Sequence, residues 1–196
     1  MRRTAAIALL VALSACDGDA STVGPTRGAP APAVDPEPPT ADATASFIDV
    51  DAEHLDRTLA DHPARVLLVN VWSTWCEPCV EEMPALVAFA TEHRDEGLGL
   101  ALIAADPPSQ RDAAWAFLDS VHAPTPRYFK VGPDDAFITA VHEDWQGGLP
   151  ATLLLDERRE VLQFWERPVT PDDLRAPVAS ALHPDELPPH AQGETR

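Results

Sequence analysis

Val66-Leu67-Leu68-Val69-Asn70-Val71-Trp72, then Ser73-Thr74, then Trp75-Cys76-Glu77-Pro78-Cys79: the reading of this chain turns on these fourteen residues. The first seven form a nearly continuous apolar run, as expected of a strand buried on both faces. From Glu77 to Arg94 the apolar residues Val80, Met83, Leu86, Val87 and Ala90 recur at helical spacing and stop before Gly97. The two cysteines therefore fall where a buried strand hands over to a helix. Free N–H groups and the macrodipole at a helix N-terminus favour a thiolate, so Cys76 is expected to be the thiol that attacks disulfides. Cys79, one turn further in, is expected to be more shielded and to resolve the mixed disulfide by attacking Cys76. Pro78 lacks an N–H, which costs nothing in a first helical turn. Two other readings compete for the pair. One is half of a zinc site, but the chain has no second Cys-x-x-Cys, and its seven histidines show no close ligand pair. The other is a structural disulfide, which over two intervening residues closes too small a loop to restrict much chain entropy.

Outward from this junction strands and helices alternate. Phe47–Val50 is expected as a short strand and Ala52–Asp61 as a short helix. Leu98–Ala105 reads as a second buried strand, and Ser109–Val121 as a helix with Ser109 as its N-cap. Tyr128–Val131 is expected as a strand and Asp134–Val141 as a helix, followed by strands at Ala151–Leu155 and Val161–Trp165. Thr170-Pro171-Asp172-Asp173 opens the last helix with a capping Thr, a Pro in the first turn and acids at the positive dipole end. The alternation predicts an α/β fold whose closing strand pair adds an antiparallel edge.

Val69 to Cys79 closely resembles the thioredoxin-like proteins of the TlpA/ResA kind, which include cytochrome c maturation reductants. The likeness continues in Glu82-Met83-Pro84 and in Gly148-Leu149-Pro150-Ala151-Thr152. It covers roughly Phe47 to Leu182. The resemblance implies a thioredoxin-like fold, with a central mixed sheet flanked by helices, an extra strand–helix insertion around residues 123–141, and reversible dithiol–disulfide chemistry. It makes Cys76 the nucleophile and Cys79 the resolving thiol, and it matches Pro150 to a cis-proline facing the pair. Leu149 is then expected to offer its free N–H and C=O to a substrate peptide. Glu82 lies one turn beyond Cys79 on the same helix face, where a buried carboxyl could take the proton of Cys79. Trp75 is expected to pack beside the thiols and to contact substrate, Pro84 to kink the helix, and Glu77 to be exposed. Trp72 is expected in the core, and Trp115, Trp145 and Trp165 as packing. His122 and His142 have no visible partners and read as surface residues. The turn Asp156-Glu157-Arg158-Arg159-Glu160 departs from the pattern because it lacks the glycine usual in relatives.

The rest of the chain bears on where this chemistry happens. With 14 basic and 32 acidic side chains in 196 residues the net charge is −18, a surface that repels phosphate backbones and so speaks against nucleic-acid partners. Met1-Arg2-Arg3 and the apolar run Ala5–Leu13 form an export signal too short to span a bilayer. Leu13-Ser14-Ala15-Cys16 resembles a lipobox, making residues 1–15 a signal peptide and Cys16 the lipidated first residue of the mature protein. At about 0.8 kcal/mol per buried CH2, two or three acyl chains anchor stably. Residues 16–46, rich in Pro and Ala, read as a disordered tether, residues 47–182 as the folded domain and residues 183–196 as a flexible tail. The expected location is periplasmic, lipid-anchored to the inner membrane.

These readings converge on a membrane-tethered thiol–disulfide oxidoreductase that reduces disulfides of partner proteins. It needs no cofactor or metal and draws electrons from a transmembrane thiol transporter of the DsbD/CcdA kind. Apocytochrome c is a candidate substrate. The alternative is a copper-binding or copper-delivery module in which the paired thiolates join a distal histidine such as His142. Relatives of that type usually carry three residues between the cysteines, and this chain carries two. A peroxidase would need Thr-x-x-Cys, whereas Thr74 stands two residues before Cys76.

Overall fold

In the computed structural model, which describes residues 46–184, the apolar run becomes a strand, β2 (Val66–Trp72), buried along its whole length. The signal sequence, Cys16, nearly all of the tether and most of the tail lie outside the described residues. Ahead of β2 come β1 (Ile48–Val50) and α1 (Leu55–Ala60); after it come α2 (Glu77–Glu92), β3 (Leu98–Ala104) and α3 (Arg111–Ser120). The chain continues through β4 (Arg127–Lys130), α4 (Asp134–Val141), β5 (Ala151–Leu155), β6 (Val161–Trp165) and α5 (Pro171–Leu182). The six strands form one sheet in the order β1-β4-β3-β2-β5-β6. The first four run parallel, while β5 lies antiparallel to β2 and β6 antiparallel to β5. This is the expected mixed sheet, and the expected insertion supplies β4, which takes its place between β1 and β3.

Period-two alternation divides the strands between two cores. Val66, Leu68 and Trp72 of β2 join Leu98, Leu100 and Leu102 of β3 against Met83 and Leu86 of α2, Leu118 of α3 and Val178 of α5. Leu67, Val69 and Val71 face the other way with Ile103 and Leu153, against Leu55 of α1 and Phe137 of α4. The result is a three-layer α/β/α arrangement. Asn70 shares the α2 side with Leu68 and Trp72, and so does Thr152 of β5, which pairs with it across the sheet.

Several boundaries differ from expectation for local reasons. Phe47 is not in β1; it is buried against Trp115 and Phe129. Ser109 does not cap α3, because Pro108 opens a 3-10 turn over Pro108–Gln110 and the helix starts at Arg111 without a side-chain cap. α2 ends at Glu92 and passes through a 3-10 turn, Arg94–Glu96, into Gly97 at φ 107. Thr170 does cap α5, in a reciprocal box with Asp173. His142 is no free surface side chain: it is half-buried, its ring stacks on Phe164 with centroids 4.2 Å apart, and its Nδ1 accepts from the Asp144 N–H. His122 is exposed, with φ 54. The glycine-free turn between β5 and β6 forms with Arg159 in the left-handed region, φ 67.

Candidate active site

Parallel β2 and β3 end at the same edge of the sheet, and β2 delivers Ser73–Cys79 there. Thr74 fixes the path of this loop. Its N–H donates to Asp106 Oδ1 at 2.9 Å and its hydroxyl to the same oxygen at 2.5 Å, tying it to the chain just beyond β3. Asp106 is buried and was not anticipated from the sequence.

Cys76 is the N-cap of α2, and its Sγ accepts from the Cys79 N–H at 3.3 Å, with Pro78 in the first turn. The two sulfurs are joined in a disulfide. Both cysteines are buried, Cys79 completely at 0% exposed and Cys76 at 6%, so Cys76 is the one with any surface at all. Glu77 and Pro78 between them are exposed.

Pro150 follows a cis Leu149–Pro150 bond, as expected; a second cis bond, Thr125–Pro126, was not foreseen. Val71 pairs with Ala151, which sets Pro150 beside the end of β2 from which the cysteine loop departs. The approach to Pro150 is braced on three sides. The Trp145 indole N–H donates to the Gly148 carbonyl at 2.7 Å, Glu166 Oε1 accepts from the Gly148 N–H at 2.9 Å, and Gly147 adopts φ 88. A Cβ on Gly147 would stand 2.7 Å from Ile138 Cδ1.

Trp75 does not pack down beside the thiols. It is 63% exposed and lines a shallow groove of about 200 Å³ with Leu149, Trp145 and Phe137. Trp72, in contrast, is fully buried and packs on Phe117. Trp145 and Trp165 are buried and Trp115 is half-buried in the core. Pro84 lies inside α2 at an exposed position.

Glu82 is buried, as expected, but has partners. Oε1 accepts from Asn70 Nδ2 at 3.0 Å and Oε2 from the Val169 N–H at 2.7 Å. Burial pushes the carboxyl above the ordinary glutamate range, and the Val169 and Asn70 hydrogen bonds oppose this. A polar residue in the middle of an apolar strand was the signal that could have led to Asn70. A carboxyl whose folded pKa exceeds its unfolded one binds more protons when folded, so stability declines as pH rises through that window. Replacing Glu82 by Gln removes the ionised form. The midpoint of urea denaturation should therefore rise at pH 8 and change little at pH 4; equal shifts at both pH values would contradict a buried, titrating carboxyl.

A disulfide closed between the N-cap and the first turn of a helix, with its first cysteine the less buried, is built for thiol–disulfide exchange, and the comparisons agree. The family model described as Redoxin matches residues 26–179. The chain belongs to the Redoxin family. The thiol:disulfide interchange protein HelX of Rhodobacter capsulatus is 30% identical over 146 residues, covering 74% of this chain and 70% of that protein. The thiol-disulfide oxidoreductase ResA of Geobacillus kaustophilus is 24% identical over 134 residues, covering 68% of this chain and 73% of that protein. Among solved structures, a DsbF homologue from Corynebacterium diphtheriae superposes with a TM-score of 0.53 at 24% identity, over 62% of this chain and 75% of that one. A thioredoxin-family thiol:disulfide interchange protein from Chlorobium tepidum gives 0.51 at 21%, over 61% and 81%. The fold of this Redoxin-family chain is thus thioredoxin-like, and the protein is a thiol–disulfide oxidoreductase. No helix among the described residues is long and apolar enough to cross a membrane. No cluster of three or more His, Cys, Asp or Glu side chains gathers among them to hold a metal.

Proposed function

We propose that the protein is an extracytoplasmic reductant, held to the membrane by a lipid on Cys16, that returns disulfides of partner proteins to thiols. The observation that carries the assignment of roles is that Cys76 is the N-cap of α2 and keeps some surface, whereas Cys79 keeps none. In the reduced enzyme the Cys76 thiolate attacks one sulfur of a substrate disulfide, and the other leaves as a thiolate. Cys79 then gives its proton to Glu82 and attacks Cys76 Sγ. The second substrate sulfur departs and the Cys76–Cys79 disulfide forms, so two electrons have passed to the substrate. Leu149 pairs its backbone with the substrate strand while Pro150 shapes that loop, and Trp75 provides an apolar wall for a side chain flanking the substrate cysteine.

The direction of electron flow follows from charge. Glu77 sits beside Cys76 and opposes its thiolate, which makes the reduced form less stable and the disulfide less oxidising. A transmembrane thiol protein renews the dithiol, and haem-attachment thiols of apocytochrome c are a fitting substrate. The copper alternative gains no support from His142, whose stacking on Phe164 accounts for its position.

The test is the equilibrium reduction potential of Cys76–Cys79. A value near or below about −230 mV is expected; a value near about −120 mV, that of strong oxidants, would reverse the direction. The substrate loop gives a second prediction. Gly147→Ala combines left-handed strain with the Ile138 clash, displacing Leu149 and Pro150 without touching the sulfurs. Its kcat/KM for a protein disulfide should fall about tenfold with the potential unchanged. Unaltered kinetics would detach this loop from substrate binding.

A further inference from the structure

A buried amide costs free energy unless its polar atoms are paired, and the rest of β2 is apolar. Asn70 is 0% exposed. Its Nδ2 donates twice, to Glu82 Oε1 at 3.0 Å and to Thr152 Oγ1 at 2.9 Å, while its Oδ1 has no hydrogen-bond partner. This arrangement suits an ionised Glu82, whose Oε1 can only accept. It does not suit a protonated one. Oε2 is already committed to the Val169 N–H, so an added proton goes to Oε1 and, when directed toward Asn70, meets Nδ2 donor to donor.

Half a turn of the amide about its last side-chain bond removes that conflict, at the cost of moving Nδ2 to the place where Oδ1 had no partner. Oδ1 then stands where Nδ2 stood and accepts from the Glu82 Oε1–H. Thr152, whose hydroxyl both donates and accepts, changes from acceptor to donor. We propose that Asn70 is a positioning residue that inverts its side-chain amide, with Thr152 reversing in step, so that Glu82 is hydrogen-bonded in both of its protonation states. The inference rests on the reading above that Glu82 takes the proton of Cys79. During that transfer the proton moves from Cys79 Sγ to Glu82 Oε1, no electrons move, and the amide turns; it turns back when Glu82 releases the proton.

A carboxamide places a donor and an acceptor on one pivot. Leucine offers neither, and aspartate sets a second carboxylate against the first. The start of α2 brings the two thiols of the reduced chain, Cys76 and Cys79, and β2 and β5 bring Asn70, Thr152, the buried Trp72 indole and apolar side chains. The loop after β6 brings Val169, with Glu166 and Arg167 exposed, and α5 brings Leu174 and Val178, with Asp173 tied to Arg167 at the surface.

The experiment is a pH titration of the reduced full chain labelled with 15N and 13C, following the Asn70 side-chain amide and the Glu82 carboxyl carbon. Inversion predicts that both Nδ2 hydrogens shift with the same midpoint as the carboxyl. An amide flat across that titration overturns the inversion. In parallel, the full chain is loaded at Cys76 with 5-thio-2-nitrobenzoate and its release by Cys79 is timed against pH. Asn70→Leu should slow release about tenfold at pH 7 and shift the acidic limb to higher pH, because ionised Glu82 loses a donor. If Glu82→Gln releases the probe at the wild-type rate and pH profile, the reading that Glu82 takes the proton fails. If Glu82→Gln is slow but Asn70→Leu is unchanged, only the role of Asn70 fails. Should Asn70→Leu not fold, the wild-type amide titration decides alone.

Discussion

Cys79→Ser should stop the enzyme at the mixed disulfide. The substitution keeps the helix start intact, since Cys76 remains the N-cap and Pro78 the first-turn proline. What it removes is a second sulfur placed to attack Cys76 Sγ, and a serine hydroxyl cannot displace a thiolate from a disulfide at neutral pH. Cys76 therefore still attacks, and the covalent adduct accumulates instead of being released. Turnover on a protein disulfide should fall by about a thousandfold or more, because residues acting as one unit lose nearly everything when either is removed. Intact-mass measurement under non-reducing conditions should find substrate bound to the Cys79→Ser chain and none bound to Cys76→Ser. The reverse pattern, an adduct through Cys79 in the Cys76→Ser chain, would exchange the two roles. That outcome would be hard to reconcile with burial, because the Cys79 sulfur has no exposed surface from which to meet a substrate.

How much of this could be read from the sequence depended on how local the signal was. β2 and α2 announce themselves through apolar periodicity, and the position of the cysteines at their junction follows from chain order alone. The capping box on α5 is equally local: Thr170 and Asp173 lie three residues apart and bond each other. Pro150 could be placed because a short motif carried it. Features that depend on distant partners were hidden. Nothing near Thr74 says that Asp106, beyond the next strand, will bind its N–H and hydroxyl. Glu82 could be expected to be buried, but not to share its oxygens with Asn70 and with a backbone N–H from residue 169. Trp75 shows the same limit from the other side, since an aromatic in a short loop carries no mark of whether it turns inward or to solvent. His142 gains its partner only because the loop after α4 brings it over Phe164 of β6.

The turn without a glycine yields the second large effect, on stability. Arg159 holds φ 67, a conformation that costs a non-glycine residue about 1 kcal/mol or more. Asp156 organises the turn, its Oδ1 accepting from the N–H groups of Arg158 at 2.8 Å and Glu160 at 2.9 Å. The guanidinium then explains why arginine occupies the strained position. Its Nε donates to the Leu59 carbonyl at 2.9 Å, and Nη2 donates to those of His62 and Ala64, each at 2.7 Å. Nη1 donates to the carbonyls of Arg65 and Asp156 at 3.3 and 3.1 Å. One of these five acceptors lies in the last turn of α1 and three lie between α1 and β2, so the one guanidinium ties down the whole linker. Arg159→Ala keeps the strain and frees the carbonyls, so it should destabilise by about 3 kcal/mol, discounted because the site is only half-buried. Arg159→Gly relieves the strain and should cost less, about 2 kcal/mol, although glycine is the residue the turn alone would prefer. Lysine brings a single point charge instead of a planar fork and should recover little. Urea denaturation of the three variants checks the order, and a glycine variant as stable as the parent would mean that the five hydrogen bonds do no more than offset the strain at Arg159. Because the anchored linker enters β2 at the end opposite Cys76, kcat/KM of the folded variants should remain within about twofold of the parent.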